Sequence, residues 1–368
     1  MNKVIQVHKV AIIGAGAIGS AMAAYLTRKG YSVGIWSRSL ASSPRLYSGM
    51  FHLQTSGVFS NAFEIEALDS LSRIREFDIV VVALPATAYS DVLPDLAGHL
   101  TSRHNVVVSG SLSLAPLWLH EMARKSGVQP VITAWGTTLL AASFQPDGTL
   151  HIPFTRKRFD IASLPTAKTA QSLALCRDLF GIEFDAARSV LDINLSNINP
   201  IAHAGQLLIN FSRIDRTETW KLFENFTESG IRLAEALDAE RLTLASAFGS
   251  KPRSLRRHYA QSYPVEDTGL SDMVRQISED GSKTLGPRAL NHRYLTEDMP
   301  YGLAFMERLA RVADMPLPIT SAVISVLEVM TNTAIRENNR IADAVIGTLE
   351  TREALLERCM GHRLSEAS

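Results

Sequence analysis

The chain has 368 residues, 46% of them hydrophobic and 20% charged, a globular composition too long for one ordinary core, so two domains are expected. Lys and Arg together number 37, as do Asp and Glu, which argues against a basic nucleic-acid footprint or a charged membrane-binding face. The two cysteines, Cys176 and Cys359, are too few for a disulfide framework and lack metal-ligand spacing, so the expectation is a cytoplasmic protein without a metal site.

At the start, Lys3 and Lys9 precede an apolar run, Val10 to Leu26, with the outline of a signal peptide. Three glycines interrupt the run and it begins as a strand, so it is read as folded structure. No other stretch approaches the ~20 apolar residues of a membrane span. Lys9 to Ile13 forms the strand, Gly14-Ala15-Gly16-Ala17-Ile18-Gly19 follows, Ser20 to Lys29 reads as a helix closed by Gly30, and Tyr31 to Trp36 is a second strand. Strand, glycine turn, helix and strand are the context in which this pattern binds a dinucleotide. Gly14 allows the tight turn, Gly16 lets the backbone approach a pyrophosphate at the helix N-terminus, and Gly19 allows close helix–strand packing. Gly14, Gly16, Ala17, Ile18 and Gly19 are therefore assigned to the cofactor.

The end of the second strand reads Trp36-Ser37-Arg38-Ser39, without the acid that would bond a ribose 2′-OH. Arg38 can pair bidentately with a 2′-phosphate and the serines can donate to it, which favours NADP(H) and leaves NAD(H) open. Phe77 to Ala83 is a continuous apolar run expected to be buried on both faces. Leu84-Pro85-Ala86 ends it at the sheet edge where a cofactor lies. Further strands are expected at Asn105 to Ser109, Gln129 to Ala134, Thr149 to Phe154, Arg158 to Leu164 and near Glu183, with a helix at Ala167 to Leu179. A change in character near Arg188 to Asn197 divides a Rossmann domain, 1–190, from a helical substrate domain, 191–368.

The second half lacks β-branched runs. Asn199 and Pro200 fit a cap and first helical position, with His203 in the first turn of the helix they start. Thr217 to Ala236, Asp238 to Ala247, Gly269 to Glu279, Pro300 to Ala313 and Thr320 to Ala334 also read as helices, and substrate is expected in a cleft beside this domain. Thr296-Glu297-Asp298 precedes a Pro-led helix, where an N-cap role for Asp298 and a surface ion pair for Arg293 are the plain readings. The chemical reading is a His203–Asp298 pair beside an Arg293 that clamps a carboxylate.

Asn197-Ile198-Asn199-Pro200 running into His203, Asp238-Ala239-Glu240-Arg241-Leu242, Asn291-His292-Arg293-Tyr294-Leu295-Thr296-Glu297-Asp298 and the leading Gly14-Ala15-Gly16 together resemble the opine dehydrogenase family of the octopine/nopaline type, to about residue 345. The resemblance implies a Rossmann domain followed by an all-α domain. It implies an oxidoreductase that condenses an amino acid with a 2-oxo acid, such as pyruvate or 2-oxoglutarate, and reduces the imine with NAD(P)H. It implies that His203 and Asp298 form the proton-transfer pair and that Arg293 holds a substrate carboxylate. A homodimer is left open. Where many relatives carry a Glu and a Pro-Tyr pair, this chain has Trp135-Gly136-Thr137-Thr138-Leu139-Leu140, which is expected to line the substrate pocket, so the amine substrate does not carry over from any one relative. Two alternatives stand beside this: a 2-oxo acid reductase of the ketopantoate or β-hydroxyacid type, and a non-catalytic NADP-binding sensor. The first generally uses a catalytic lysine, and Lys221, Lys251 and Lys283 do not stand in its motif.

Overall fold

The computed structural model describes residues 8–347 and 351–361, so Lys3 of the leader-like pattern lies outside it. Ile193 closes a first compact unit and Asn194 opens a second, while Glu357 returns the end of the chain to the first. The expected second domain, 191–368, therefore gives up its last stretch. A salt bridge and a hydrogen bond account for the return. Arg358 Nε and Nη2 donate to the two oxygens of Glu121 at 2.8 and 2.9 Å, and the Thr166 hydroxyl donates to the Met360 carbonyl at 3.1 Å.

The first unit is built on one sheet. Its strands are β1 Lys9–Ile13, β2 Ser32–Trp36, β3 Leu46–Tyr47, β4 Met50–Gly57, β5 Ala62–Ala67, β6 Ile79–Val82, β7 Asn105–Val108, β8 Val131–Trp135, β9 Leu140–Phe144, β10 Leu150–Thr155, β11 Arg158–Leu164 and β12 Glu183–Ala186. They lie in the order β12-β11-β8-β7-β6-β1-β2-β5-β4-β10-β9, with β3 against β4. The stretch β5-β2-β1-β6-β7-β8 is parallel throughout, the doubly wound Rossmann core. β6 is buried at all four positions, as its unbroken apolar run requires. Helices α1 Ala17–Arg28, α2 Tyr89–His99, α3 Ala115–Lys125 and α4 Thr169–Phe180 belong to this unit. After β1 the chain runs outward through β2 and then crosses to β6 on the other side of β1. The order thus reverses between β1 and β6, and the glycine turn stands at that switch point.

The stretch Trp135 to Leu140 does not behave as a pocket lining along its length. Trp135, Leu139 and Leu140 are fully buried in the core of the first unit. The Trp135 ring lies 5.1, 4.9 and 5.5 Å from those of Phe159, Phe180 and Phe184. An aromatic cluster of this kind gains from both buried area and edge-to-face geometry. Only the short Gly136-Thr137-Thr138 link is partly exposed.

The second unit is helical. Its elements are α5 Val190–Leu195, which spans the boundary, α6 Asn199–Ile209, α7 Phe211–Asp215, α8 Glu228–Ala247, α9 Leu255–Ser262, α10 Leu270–Glu279, a π-helical segment Tyr294–Leu303, α11 Ala304–Val312, α12 Pro318–Thr331, α13 Ala342–Val345 and α14 Arg352–Met360. Three expectations are corrected here. Of the helices expected at Thr217 to Ala236 and Asp238 to Ala247, residues 217–227 form none, and the remainder is one helix, α8, so Asp238 is interior to it. Pro300 does not lead a helix but sits inside the π segment, where its missing N–H and ring break the α ladder and the turn widens. Asn199 is the first residue of α6 instead of its cap, and its N–H donates to Asn197 Oδ1 at 3.0 Å. Among the described residues, no helix is long and apolar enough to cross a membrane.

Candidate active site

Two elements of the second unit bring the candidate reacting groups together. α6 carries His203 near its start, and the π segment carries Asp298 at its centre. The π segment can approach α6 because Gly302 has no side chain: a Cβ there would meet Pro200 Cγ at 2.2 Å. His203 Nδ1 then donates to Asp298 Oδ2 at 2.8 Å across 95 positions of sequence. With Nδ1–H committed to the carboxylate, Nε2 is the nitrogen left to exchange a proton. The Asp298 carboxylate is fully buried and His203 is 8% exposed.

The imidazole is also held by its neighbours. The Tyr294 ring stacks on it with centroids 3.3 Å apart and planes 14° from parallel, and His292 meets Tyr294 edge-on at 4.6 Å. Burial lowers the pKa of His203 below 6.5, the Asp298 carboxylate opposes that, and the Arg293 guanidinium adds to it. The net direction is downward, so the resting imidazole is neutral at pH 7. Burial, reinforced by Arg293 and His203, holds His292 down at about 4. Desolvation raises the Tyr294 phenol, which stays protonated. Arg293 is half-exposed, with Nη2 at 3.7 Å from Asp298 Oδ2 and Nε at 3.9 Å from Glu297 Oε1. Both distances are too long for hydrogen bonds, so neither carboxylate occupies the guanidinium fork.

The first unit carries a cradle that fits a dinucleotide. At Gly14, φ is +119°, and a Cβ there would meet the Ala83 carbonyl oxygen at 2.3 Å. A Cβ at Gly19 would meet the Gly14 carbonyl oxygen at 1.8 Å, so both glycines are needed to close the turn. Gly16, the residue before α1, has nothing within 4 Å of its Cβ direction, which leaves the helix N-terminus open to a phosphate. Leu84, Pro85 and Ala86 follow β6 at the same edge, and the Ala83–Leu84 pair touches the turn directly. Ser37 Oγ is buried without a partner, as a hydroxyl waiting for a ligand oxygen would be. Arg38 is exposed and its Nη1 donates to Asp91 Oδ2 at 2.8 Å. The acid missing from the end of β2 is thus brought there by α2, which no local reading of residues 36–39 reveals.

Residues 186–331 match the family model described as NAD/NADP octopine/nopaline dehydrogenase, alpha-helical domain. The chain is similar to opine dehydrogenases of the octopine/nopaline type. Residues 10–109 match the model of the PanE/ApbA ketopantoate reductases, in keeping with a shared nucleotide-binding unit. The opine dehydrogenase of Arthrobacter sp. (strain 1C) is 25% identical over 91% of this chain and 94% of its own length. An octopine dehydrogenase structure with NADH and L-arginine superposes with a TM-score of 0.74 at 15% identity, covering 97% of this chain and 98% of that one. A yersinopine dehydrogenase with NADP+ does so with a TM-score of 0.72 at 14% identity, covering 96% and 98%. Within this opine dehydrogenase domain, two neighbours of His203 carry no expectation from the sequence: the Tyr294 stack and Gln206, one turn along α6. Tyr294 stands inside the second motif, and only its position between His292 and Arg293 on one side and Asp298 on the other hinted at a part in the site.

Proposed function

We propose that the chain is an NAD(P)H-dependent opine dehydrogenase, joining an α-amino acid to a 2-oxo acid as an N-(carboxyalkyl)amino acid and running the reverse oxidation. The observation that carries this reading is the buried His203–Asp298 bond beside the half-exposed Arg293, in a domain of the octopine/nopaline type. Structural relatives hold matching ligands: octopine dehydrogenase with NADH and pyruvate or L-arginine, and yersinopine dehydrogenase with NADP+.

The amine adds to the 2-oxo carbonyl, the adduct loses water to give an imine, and the imine carbon takes a hydride and its nitrogen a proton. The nicotinamide, when bound at the Gly14–Gly19 turn, supplies the hydride. Arg293 receives a carboxylate of the 2-oxo acid on its fork and orients the carbonyl. His203, protonated at Nε2, gives a proton to the departing hydroxyl; neutral, it takes the amine proton in the oxidative direction. Asp298 fixes the ring through Nδ1 and stabilises the imidazolium that each cycle creates. Incubation with NADPH, pooled amino acids and pooled 2-oxo acids should yield masses of N-(carboxyalkyl)amino acids. NADPH oxidation by a 2-oxo acid without any amine, and no such masses, would instead mark a simple 2-oxo acid reductase.

For the cofactor, NADP(H) is the preferred form. Arg38 gives one nitrogen to Asp91, which orients the guanidinium, and its Nε/Nη2 edge remains for a 2′-phosphate alongside the Ser37 hydroxyl. Arg38→Ala should lower kcat/KM for NADPH much more than for NADH. An unchanged ratio removes the assignment.

A further inference from the structure

Gln206 lies one turn beyond His203 on α6, and the mechanism above leaves it without a role. The residue is 1% exposed, yet neither Nε2 nor Oε1 has a hydrogen-bond partner. Buried amides are almost always satisfied, because desolvating one without a partner is uncompensated. The residue just past this helix shows that the fold can satisfy such a group: Asn210 Nδ2 donates to the main-chain carbonyl of Gln206 at 3.0 Å and to that of Asn225 at 2.9 Å. Among the described residues of the second unit, the buried side-chain atoms without a partner are Gln206 Nε2, Gln206 Oε1 and Asp298 Oδ1. They cluster around one residue. Positions three apart on a helix are neighbours on its surface, which sets Gln206 beside His203, and Asp298 is bonded to His203 through its other oxygen.

A primary amide presents a donor and an acceptor on one edge. The matching ligand edge is an acceptor next to an N–H. An α-amino acid has it, in a carboxylate oxygen beside the amine nitrogen, and so does the opine product. A 2-oxo acid has no N–H to offer. We infer that Gln206 is the residue that takes the α-amino acid, Nε2 donating to its carboxylate and Oε1 accepting from its amine N–H. The inference rests on the opine dehydrogenase reading and adds a division of labour: Arg293 holds the 2-oxo acid and Gln206 the amine.

The test is Gln206→Met, close to isosteric and unbranched, with Gln206→Leu as a second variant should the first fold poorly. Without substrates, Gln206→Met should melt at or above the wild-type temperature, since an unpaired buried amide loses no hydrogen bond on replacement. A clear fall in Tm in both variants would mean that the amide is paired within the fold, and would overturn the inference. In steady-state assays, KM for the amino acid should rise about ten- to a hundredfold, with KM for the 2-oxo acid changed far less. The pH dependence of kcat that His203 sets should keep its wild-type midpoint. Equal KM values for the amino acid in variant and wild type overturn the inference while leaving the opine reading intact. The two can also be separated without turnover, by melting NADPH-loaded protein with each common amino acid in millimolar excess. At least one amino acid should raise the wild-type Tm and fail to raise that of Gln206→Met. Wild type that binds no amino acid and forms no opine overturns both.

Discussion

His203 is held from three directions, by Asp298 at Nδ1, by Tyr294 on its face and by Arg293 through space. Each acts on a different property: tautomer, orientation and charge. Burial is the largest influence on its pKa and drives it below 6.5, so the neutral form persists to lower pH than in a free imidazole. In the proposed mechanism the oxidative direction uses that neutral form. Its kcat/KM should therefore stay level through pH 7 and fall only on the acid side of 6.5. Asp298→Asn removes the one influence holding the pKa up, so the acid limb should move to still lower pH while the rate drops about 10²–10⁴-fold. His203→Ala should lose as much and retain NADPH binding. Wild-type kcat in His203→Ala would remove the proton-transfer assignment.

The Asp238-Ala239-Glu240-Arg241 motif, which looks from its acids like a helix start, lies within α8 and caps other helices instead. Asp238 Oδ2 accepts from the Leu255 N–H at 2.7 Å, at the first residue of α9. Glu240 accepts from the Ile319 and Thr320 N–H groups at 2.7 and 2.8 Å and from the Thr320 hydroxyl at 2.7 Å, at the N-terminus of α12. Both acids thus satisfy orphan donors at the positive end of a neighbouring helix. Arg241, fully buried, anchors the arrangement by donating to Asp238 and to the Leu195 and Arg253 carbonyls. Leu195 ends α5, shortly before α6 brings in His203. The motif is therefore architectural, and Glu240→Ala should cost about 0.5–2 kcal/mol of stability without changing kcat. Denaturant midpoints and initial rates measured on the same preparation check this. The opposite case is the stretch Met50–Gly57, whose alternation of buried and open positions is a strand signature, yet a hairpin insertion within a nucleotide-binding unit is easily passed over as loop.

At the scale of the whole molecule, four sheltered histidines contribute to how it responds to acid. His120 on α3 is 3% exposed, and burial brings it down to about 4. His292 lies at about 4, while His104 and His203 are also lowered by burial. All are neutral when folded and take a proton more readily when unfolded. The unfolded state then binds more protons between about pH 4 and 6.5, so stability falls as pH drops through that window. For His120 alone, the gap between 6.5 and about 4 corresponds to about 3 kcal/mol. His120→Leu should flatten the acid loss of stability in this window, as read from denaturant midpoints at a series of pH values. An unchanged slope would mean that His120 is protonated in the folded state.

The strand–turn–helix–strand start, the apolar β6 and the helical second half were legible because turn glycines, caps and hydrophobic period act between residues close in sequence. The candidate pair His203 and Asp298 was legible because two dense motifs carry it, although nothing local says that residues 95 positions apart meet. That meeting depends on Gly302 passing Pro200, a steric fact of packing. Packing likewise turned Asp238 and Glu240 from helix starters into caps, buried Trp135 in an aromatic core, returned Arg358 to Glu121 and set Asp91 against Arg38. It also left the Gln206 amide unpaired. Residue order specifies which hydrogen-bonding and charged groups exist, whereas only the folded chain decides which find partners within it and which remain for a substrate.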